Sequence, residues 1–172
     1  DLGAIYGKQW RNFGGQYGKV TRYTKLVKQT RIPVTEVQET ETVFKTIESN
    51  RNGLDTGFDQ LKSIADKLRT NPYDRRMVCS AWNPNQLDIM ALPPCHYAFN
   101  VIVYGDVLSL SWVQRSVDSL LGLPMNIASY ALLLKLLARH GGFKEGNLTG
   151  LLCDCHLYVN HIEQAQEQIS RT

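Results

Sequence analysis

The chain has 172 residues, 43% of them hydrophobic and 20% charged, and a net charge of +3. That is enough for one domain with a real core, with the composition of a soluble globular protein. The small charge gives no argument for nucleic acid, so no specific nucleic-acid partner is expected, although it suits a protein with a few anion-binding arginines.

The opening DLGAIYGKQWRNFGG is rich in glycine and aromatics and reads as loop and turn around a short ordered segment. Flexible backbone beside Tyr6, Lys8, Trp10 and Arg11 suits a binding loop, and a plain irregular connection explains it as well. Residues 19–50 are rich in Val, Thr and Tyr with partial alternation. They predict two or three exposed antiparallel strands in a β-rich peripheral insert, followed by a turn at Asn50-Arg51-Asn52-Gly53. From Thr56 the pattern is helical, with Phe58, Leu61, Ile64, Ala65 and Leu68 on one face and a stop at Asn71-Pro72.

MVCSAW, residues 77–82, reads as a buried strand, Asn83-Pro84-Asn85 as a turn, and Leu87 to Leu92 as a short apolar segment with a helical turn. A β-hairpin is expected next, with strands 97–104 and 107–114 around Gly105-Asp106. Residues 124–140 predict a long helix with Pro124 in its first turn and Gly141-Gly142 at its end. Its nearly continuous apolar surface implies burial against a sheet. Ser129, Tyr130 and Lys135 interrupt it, and it is too short to span a bilayer, so no membrane association is expected. The stretch DCHLYVNHIEQAQEQISR predicts a helix with a polar outer face. Hairpins with long helices give an α+β fold, a layered mixed sheet packed against long helices.

Four cysteines, Cys79, Cys95, Cys153 and Cys155, are too sparse for a disulfide scaffold, and the last two are too close in sequence to bridge readily. They point to a reducing, cytoplasmic compartment, where the sequon at Asn147-Leu148-Thr149 carries no meaning. No CxxC pair occurs, so no metal is expected. No secretory or transit pattern opens the sequence. It starts at Asp1 without a methionine, and an internal piece of a longer protein is expected.

Cys95 lies in LPPCHYAF. A lone cysteine beside an apolar strand is more often a small core residue than a nucleophile. An ordinary thiol is only a few per cent thiolate at neutral pH, so nucleophilic work needs a cation nearby. His96 adjoins it. Arg115 stands just after the next hairpin, where strand pairing would bring it beside Cys95 and favour the thiolate. QRSVD, residues 114–118, sets a guanidinium beside a hydroxyl and a carboxylate. Arg115 with Ser116 suits phosphate, and an exposed strand end with a salt bridge accounts for the same residues. Arg75-Arg76 is either a second phosphate clamp or a solvated turn. Asn126 either caps its helix or offers one acceptor and two donors to the edge of a uracil ring. In CDCHLYVNH, Asp154, His156, Tyr158 and His161 lack a convincing third and fourth metal ligand. His156 and Tyr158 can hydrogen-bond a sugar hydroxyl, with ordinary packing as the alternative. A thiol, three arginines, an Asn, a His and a Tyr together suit a pyrimidine nucleotide.

Seven stretches in order carry a resemblance: YGKQWR (6–11), RR (75–76), SAWNP (80–84), MALPPCH (90–96), QRSVD (114–118), LGLPMNIASYALL (121–133) and DCHLYVNH (154–161). On these the chain resembles the thymidylate synthase family, which includes the deoxynucleotide hydroxymethylases, across nearly all of residues 1–172 except 19–50. The resemblance implies a thymidylate synthase-like fold and a covalent mechanism in which the Cys95 sulfur adds to C6 of dUMP. C5 then takes a one-carbon unit from 5,10-methylenetetrahydrofolate. Hydride transfer from the folate gives dTMP, whereas water gives 5-hydroxymethyl-dUMP in the hydroxymethylases; a non-catalytic nucleotide-binding relative is the third reading.

By the same matching, Arg115 and Ser116 hold the 5′-phosphate with Gln114 in the same nucleotide site. Arg75 and Arg76 reach the partner's phosphate site in a homodimer. His156 and Tyr158 bind the sugar 3′-hydroxyl, and Asn126 reads the base in favour of dUMP. Asp118, Leu121 and Gly122 face the folate, and Tyr6 and His96 lie near the reacting base. Met125, Val113, Cys153 and Cys155 depart from the family pattern, which puts the product in question, and residues 19–50 replace a shorter connection. The family's N-terminal part, with an arginine loop, a catalytic glutamate and a folate-facing tryptophan, has no counterpart here, nor does its C-terminal cap. The chain on its own is therefore expected to be inactive or nearly so.

Overall fold

A computed structural model of the chain describes residues 5–15 and 57–171. The expected β-rich insert at 19–50 and its turn at 50–53 lie outside the described residues.

A four-stranded mixed sheet forms the frame: β1 (Val78–Ser80), β2 (His96–Tyr104), β3 (Val107–Asp118) and β4 (Lys144–His156), in that spatial order. The first three are antiparallel neighbours, and β4 runs parallel to β3. Such a parallel step needs a crossover, which α3 (Gly122–Gly141) supplies. Two further helices, α1 (Tyr6–Arg11) and α2 (Gln60–Thr70), precede the sheet, and α4 (Ile162–Ser170) follows it. The α+β expectation holds. No helix among the described residues is long and apolar enough to cross a membrane.

The core lies between one sheet face and the helices. Phe99, Val101 and Val103 of β2 pair with Trp112, Leu110 and Leu108 of β3, so period-two alternation puts all six on one face. Tyr130, Leu134, Leu137 and Ala138 of α3 and Ile64 and Leu68 of α2 pack onto them. The two-residue hairpin turn places Gly105 at φ 60°, and Gly142 closes α3 at φ 79°, both conformations that favour glycine.

The short ordered segment expected within the opening stretch is the helix α1. Several expectations need correction. Phe58 precedes α2 and is exposed, forming a backbone bridge to Phe13, because the Asp59 carboxylate accepts from the Lys62 N–H (2.9 Å) and caps a helix whose first residue is Gln60. β3 continues through Asp118, so QRSVD lies within a strand rather than after one. Residues 84–89 form a 3₁₀ turn. α3 buries one stripe only, leaving Met125, Leu132 and Leu136 exposed on the opposite side. β4 was not expected at all: it carries two glycines and is mostly exposed, so it shows no buried alternation to read.

Candidate functional site

The sheet brings the sequence-predicted residues other than Arg75 and Arg76 towards one end. Cys95 and His96 stand at the start of β2. Gln114 to Asp118 end β3, and Asp154 to His156 end β4. Antiparallel pairing sets His96 opposite Gln114, and the parallel ladder sets Ser116 beside Asp154 and Asp118 beside His156. Asn126 lies in the first turns of α3, and Tyr6 opens α1.

A register shift between His96 and Ala98 interrupts the β2–β3 ladder. The extra residue turns His96 to the face occupied by α3, where its Nδ1 is hydrogen-bonded to the Tyr130 hydroxyl at 2.9 Å. Tyr6 stacks on the His96 ring, with centroids 4.0 Å apart and planes 7° from parallel. Burial pushes the imidazole down to about 4, so His96 is neutral at physiological pH.

Cys95 is held by its backbone on both sides. Its N–H donates to the Tyr6 hydroxyl oxygen (2.9 Å), and its carbonyl accepts the Arg115 N–H (2.9 Å). Burial raises the Tyr6 phenol above its ordinary value, although the Cys95 N–H that it accepts acts the other way. Arg115 lies directly across from Cys95, as strand pairing predicted. Its Nε and one terminal nitrogen donate to the carbonyls of Pro94 (3.0 Å) and Pro93 (2.9 Å). The guanidinium also lies over the Trp82 ring, 5.6 Å from its centroid, within cation–π range. The prolines thus present two carbonyls to a fork-shaped cation, which fixes the loop that carries the thiol.

Gln114 is buried and donates from Nε2 to Asn126 Oδ1 (3.0 Å), so the asparagine oxygen is committed within the protein. Its amide nitrogen has no hydrogen bond among the described residues. The Ser116 hydroxyl is likewise without a partner among them. Asp118 Oδ1 accepts the Leu120 and Leu121 N–H groups at 3.1 and 3.2 Å, and its Oδ2 has no hydrogen bond among the described residues; Leu121 is exposed, and half-buried Gly122 lies against the Asp118 side chain. The His156 carbonyl accepts from the Ser119 N–H and hydroxyl, which ties β4 to the end of β3. Its ring meets Tyr158 edge-on at 5.1 Å.

Arg75 and Arg76 do not join this cluster. The Val101 N–H donates to the Met77 carbonyl, so the arginines flank the far end of the β1–β2 pair. Cys95 is six residues from Val101 along β2, on the order of 20 Å away. Arg76 binds Asp74 (2.9 Å), and Arg75 is exposed. No group of three or more His, Cys, Asp or Glu gathers among the described residues.

Sequence reasoning missed Tyr130, Trp82 and the proline carbonyls. A tyrosine within the apolar run of α3 was the available signal for the first, since a buried hydroxyl needs a partner.

A family model described as "Thymidylate synthase" matches residues 1–172. The chain is 40% identical over 171 residues to thymidylate synthase of Homo sapiens, covering 99% of this chain and 45% of that protein. It is 41% identical over 172 residues to a probable thymidylate synthase of Escherichia phage T5, covering 99% of this chain and 47% of the relative. For thymidylate synthase of varicella-zoster virus the figures are 39% over 172 residues, 100% and 48%. The chain spans about half the length of the curated relatives it matches. Because that family model matches the whole of residues 1–172, the chain belongs to the thymidylate synthase family.

Proposed function

We propose that the protein carrying this chain transfers a one-carbon unit to C5 of dUMP to give dTMP, with Cys95 as the nucleophile that adds to C6. The observation that carries this reading is the clamped Cys95 loop. Its backbone is pinned by Tyr6 and β3, and Arg115 holds the two residues before it. A backbone held rigid at the cysteine, by a cation bound to the two residues before it, suits the positioning that nucleophilic addition requires.

The remaining residues take their places around that thiol. Arg115 and Ser116 bind the phosphate, the guanidinium with its remaining nitrogen and the serine with its free hydroxyl. Gln114 orients Asn126, whose amide nitrogen donates to the O4 carbonyl of uracil. His156 and Tyr158 meet the sugar hydroxyl. His96 and Tyr6, neutral and stacked, line the reacting ring and order water near it. The second Asp118 oxygen, exposed Leu121 and half-buried Gly122 suit a heterocycle rich in N–H donors, and these residues would hold methylenetetrahydrofolate. When bound, the folate supplies the carbon unit and the reducing equivalent. The reading takes the active unit as a homodimer, with Arg75 and Arg76 serving the partner's phosphate. The exposed thiols of Cys153 and Cys155 suit a reducing, cytoplasmic setting.

The test is covalent trapping. A protein of the relatives' length that carries this sequence, mixed with 5-fluoro-dUMP and methylenetetrahydrofolate, should gain the mass of both on the peptide containing Cys95. Cys95→Ser should gain nothing while keeping the fold. Absence of the adduct from folded wild-type protein would sink the proposal. With dUMP itself, mass analysis of the product separates methyl from hydroxymethyl.

A further inference from the structure

Gln114 is 2% exposed, and both ends of its amide are engaged. The Trp112 indole N–H donates to Gln114 Oε1 (3.3 Å), while Gln114 Nε2 donates to the Ser116 carbonyl (3.1 Å) and to Asn126 Oδ1 (3.0 Å). An indole N–H can only donate. It therefore faces the oxygen end of the glutamine amide, and the nitrogen end turns to two acceptors. The next amide follows: with Oδ1 of Asn126 receiving, its NH2 group points away from Gln114. Donor meets acceptor at each step, and the direction is set by two groups that cannot reverse, the indole N–H at the oxygen end and the Ser116 carbonyl at the nitrogen end.

The indole is itself fixed from two sides. It stacks on the Tyr130 ring at 5.2 Å, with planes 15° apart. Across the β3–β4 ladder Trp112 sits opposite Gly150, where a Cβ would come within 2.5 Å of the indole. Gly150 is thus the recess that lets a residue as large as tryptophan occupy this position and reach Gln114.

We propose that Trp112 is a positioning residue for base selectivity: together with the Ser116 carbonyl, its N–H holds the polarity of the Trp112–Gln114–Asn126 relay, so that Asn126 presents donors to a 4-keto pyrimidine and not acceptors to a 4-amino one. The ligand rests on the nucleotide reading above, whereas the relay stands without it.

Two variants test the relay. Trp112→Phe keeps a stacked ring and removes the N–H. Gly150→Ala keeps the indole and pushes it off Gln114, and it serves if the first variant fails to fold. Leu68→Ala, a core change in α2, is the control for general loosening. In 15N-labelled protein the side-chain NH2 signals of Gln114 and Asn126 should move in both relay variants and stay in place in Leu68→Ala. In a protein of the relatives' length, the preference for dUMP over dCMP should fall about three- to tenfold in the relay variants, as expected for one weakened hydrogen bond. It should be unchanged in the control. Unmoved Asn126 signals in folded Trp112→Phe overturn the relay. Moved signals with an unchanged dUMP/dCMP ratio overturn its role in selectivity. A wild-type protein that binds neither nucleotide overturns the nucleotide reading and the selectivity with it, and the amide signals still decide whether the relay exists.

Discussion

Two of the three guanidinium nitrogens of Arg115 are committed to the Pro93 and Pro94 carbonyls, which leaves one for an incoming anion. Lysine keeps the charge but not the fork, so Arg115→Lys should release the Cys95 loop while preserving local electrostatics. With hydrogen bonds to a charged group worth about 1.5–3 kcal/mol each, covalent trapping by 5-fluoro-dUMP should slow at least ~10-fold. A trapping rate equal to wild type would show that the fork does not position the thiol. The other thiols separate by environment. Burial, with the Asp59 charge adding to it, pushes Cys79 up to about 12, whereas Cys153 and Cys155 are exposed. A thiol-specific reagent should therefore modify Cys153 and Cys155 in the native chain and Cys79 only after denaturation, read by peptide mass mapping. His96 gives a pH signature. Its folded value of about 4 lies below the ordinary ~6.5, so the unfolded chain binds a proton that the folded chain refuses. Stability on this account is lost as pH falls from about 6.5 towards about 4. Urea midpoints measured across that window should fall less steeply in His96→Gln than in wild type.

At the scale of elements, capping and register decide what the residues can do. Asp59 caps α2 through Lys62 and also pairs with Arg11 of α1 at 2.8 Å. Burial alone would raise its carboxyl, yet the Lys62 N–H and Arg11 hold it below the ordinary value. Asp59→Ala should cost about 1 kcal/mol of stability, and Asp59→Asn less, because the amide oxygen still caps. Equal thermal midpoints for the two variants would mean that the Arg11 pair, not the cap, carries the effect. The hairpin of β2 and β3 was legible because apolar alternation flanks Gly105-Asp106. The bulge that turns His96 towards α3 was not, since nothing in LPPCHYAF marks which residue is unpaired. The strand β4 escaped notice for a related reason. As a largely exposed edge strand, it has only three large apolar residues, Leu148, Leu151 and Leu152, two of them adjacent and separated from the first by Gly150, so no clear alternation marks it. Asp154 and His156 were named from their chemistry, but their placement beside Ser116 and Asp118 depends on that unread strand.

At the scale of the whole molecule, the residues proposed for the nucleotide fall at two ends of the sheet, and their separation bears on assembly. Cys95, Arg115, Ser116, Asn126 and His156 belong to one end, while Arg75 and Arg76 flank the other. Side chains do not bridge a gap on the order of 20 Å. If both sets serve one nucleotide, the arginines must come from a second copy, and a closed two-fold dimer would supply them reciprocally. Subunit mixing makes the consequence measurable. A protein of the relatives' length carrying Cys95→Ser lacks the nucleophile but keeps its arginines. One carrying Arg75→Ala and Arg76→Ala keeps the nucleophile but lacks the arginines. Each homodimer should be nearly inactive. After the two are unfolded together and refolded, half of the dimers should be mixed, and each mixed dimer should contain one site with both sets intact. Activity should then return to about a quarter of wild type. If the arginines instead act within their own subunit, every site in the mixture is defective and mixing restores nothing. The same outcome would remove Arg75 and Arg76 from the partner's phosphate site and return them to the solvated turn that their sequence equally allowed.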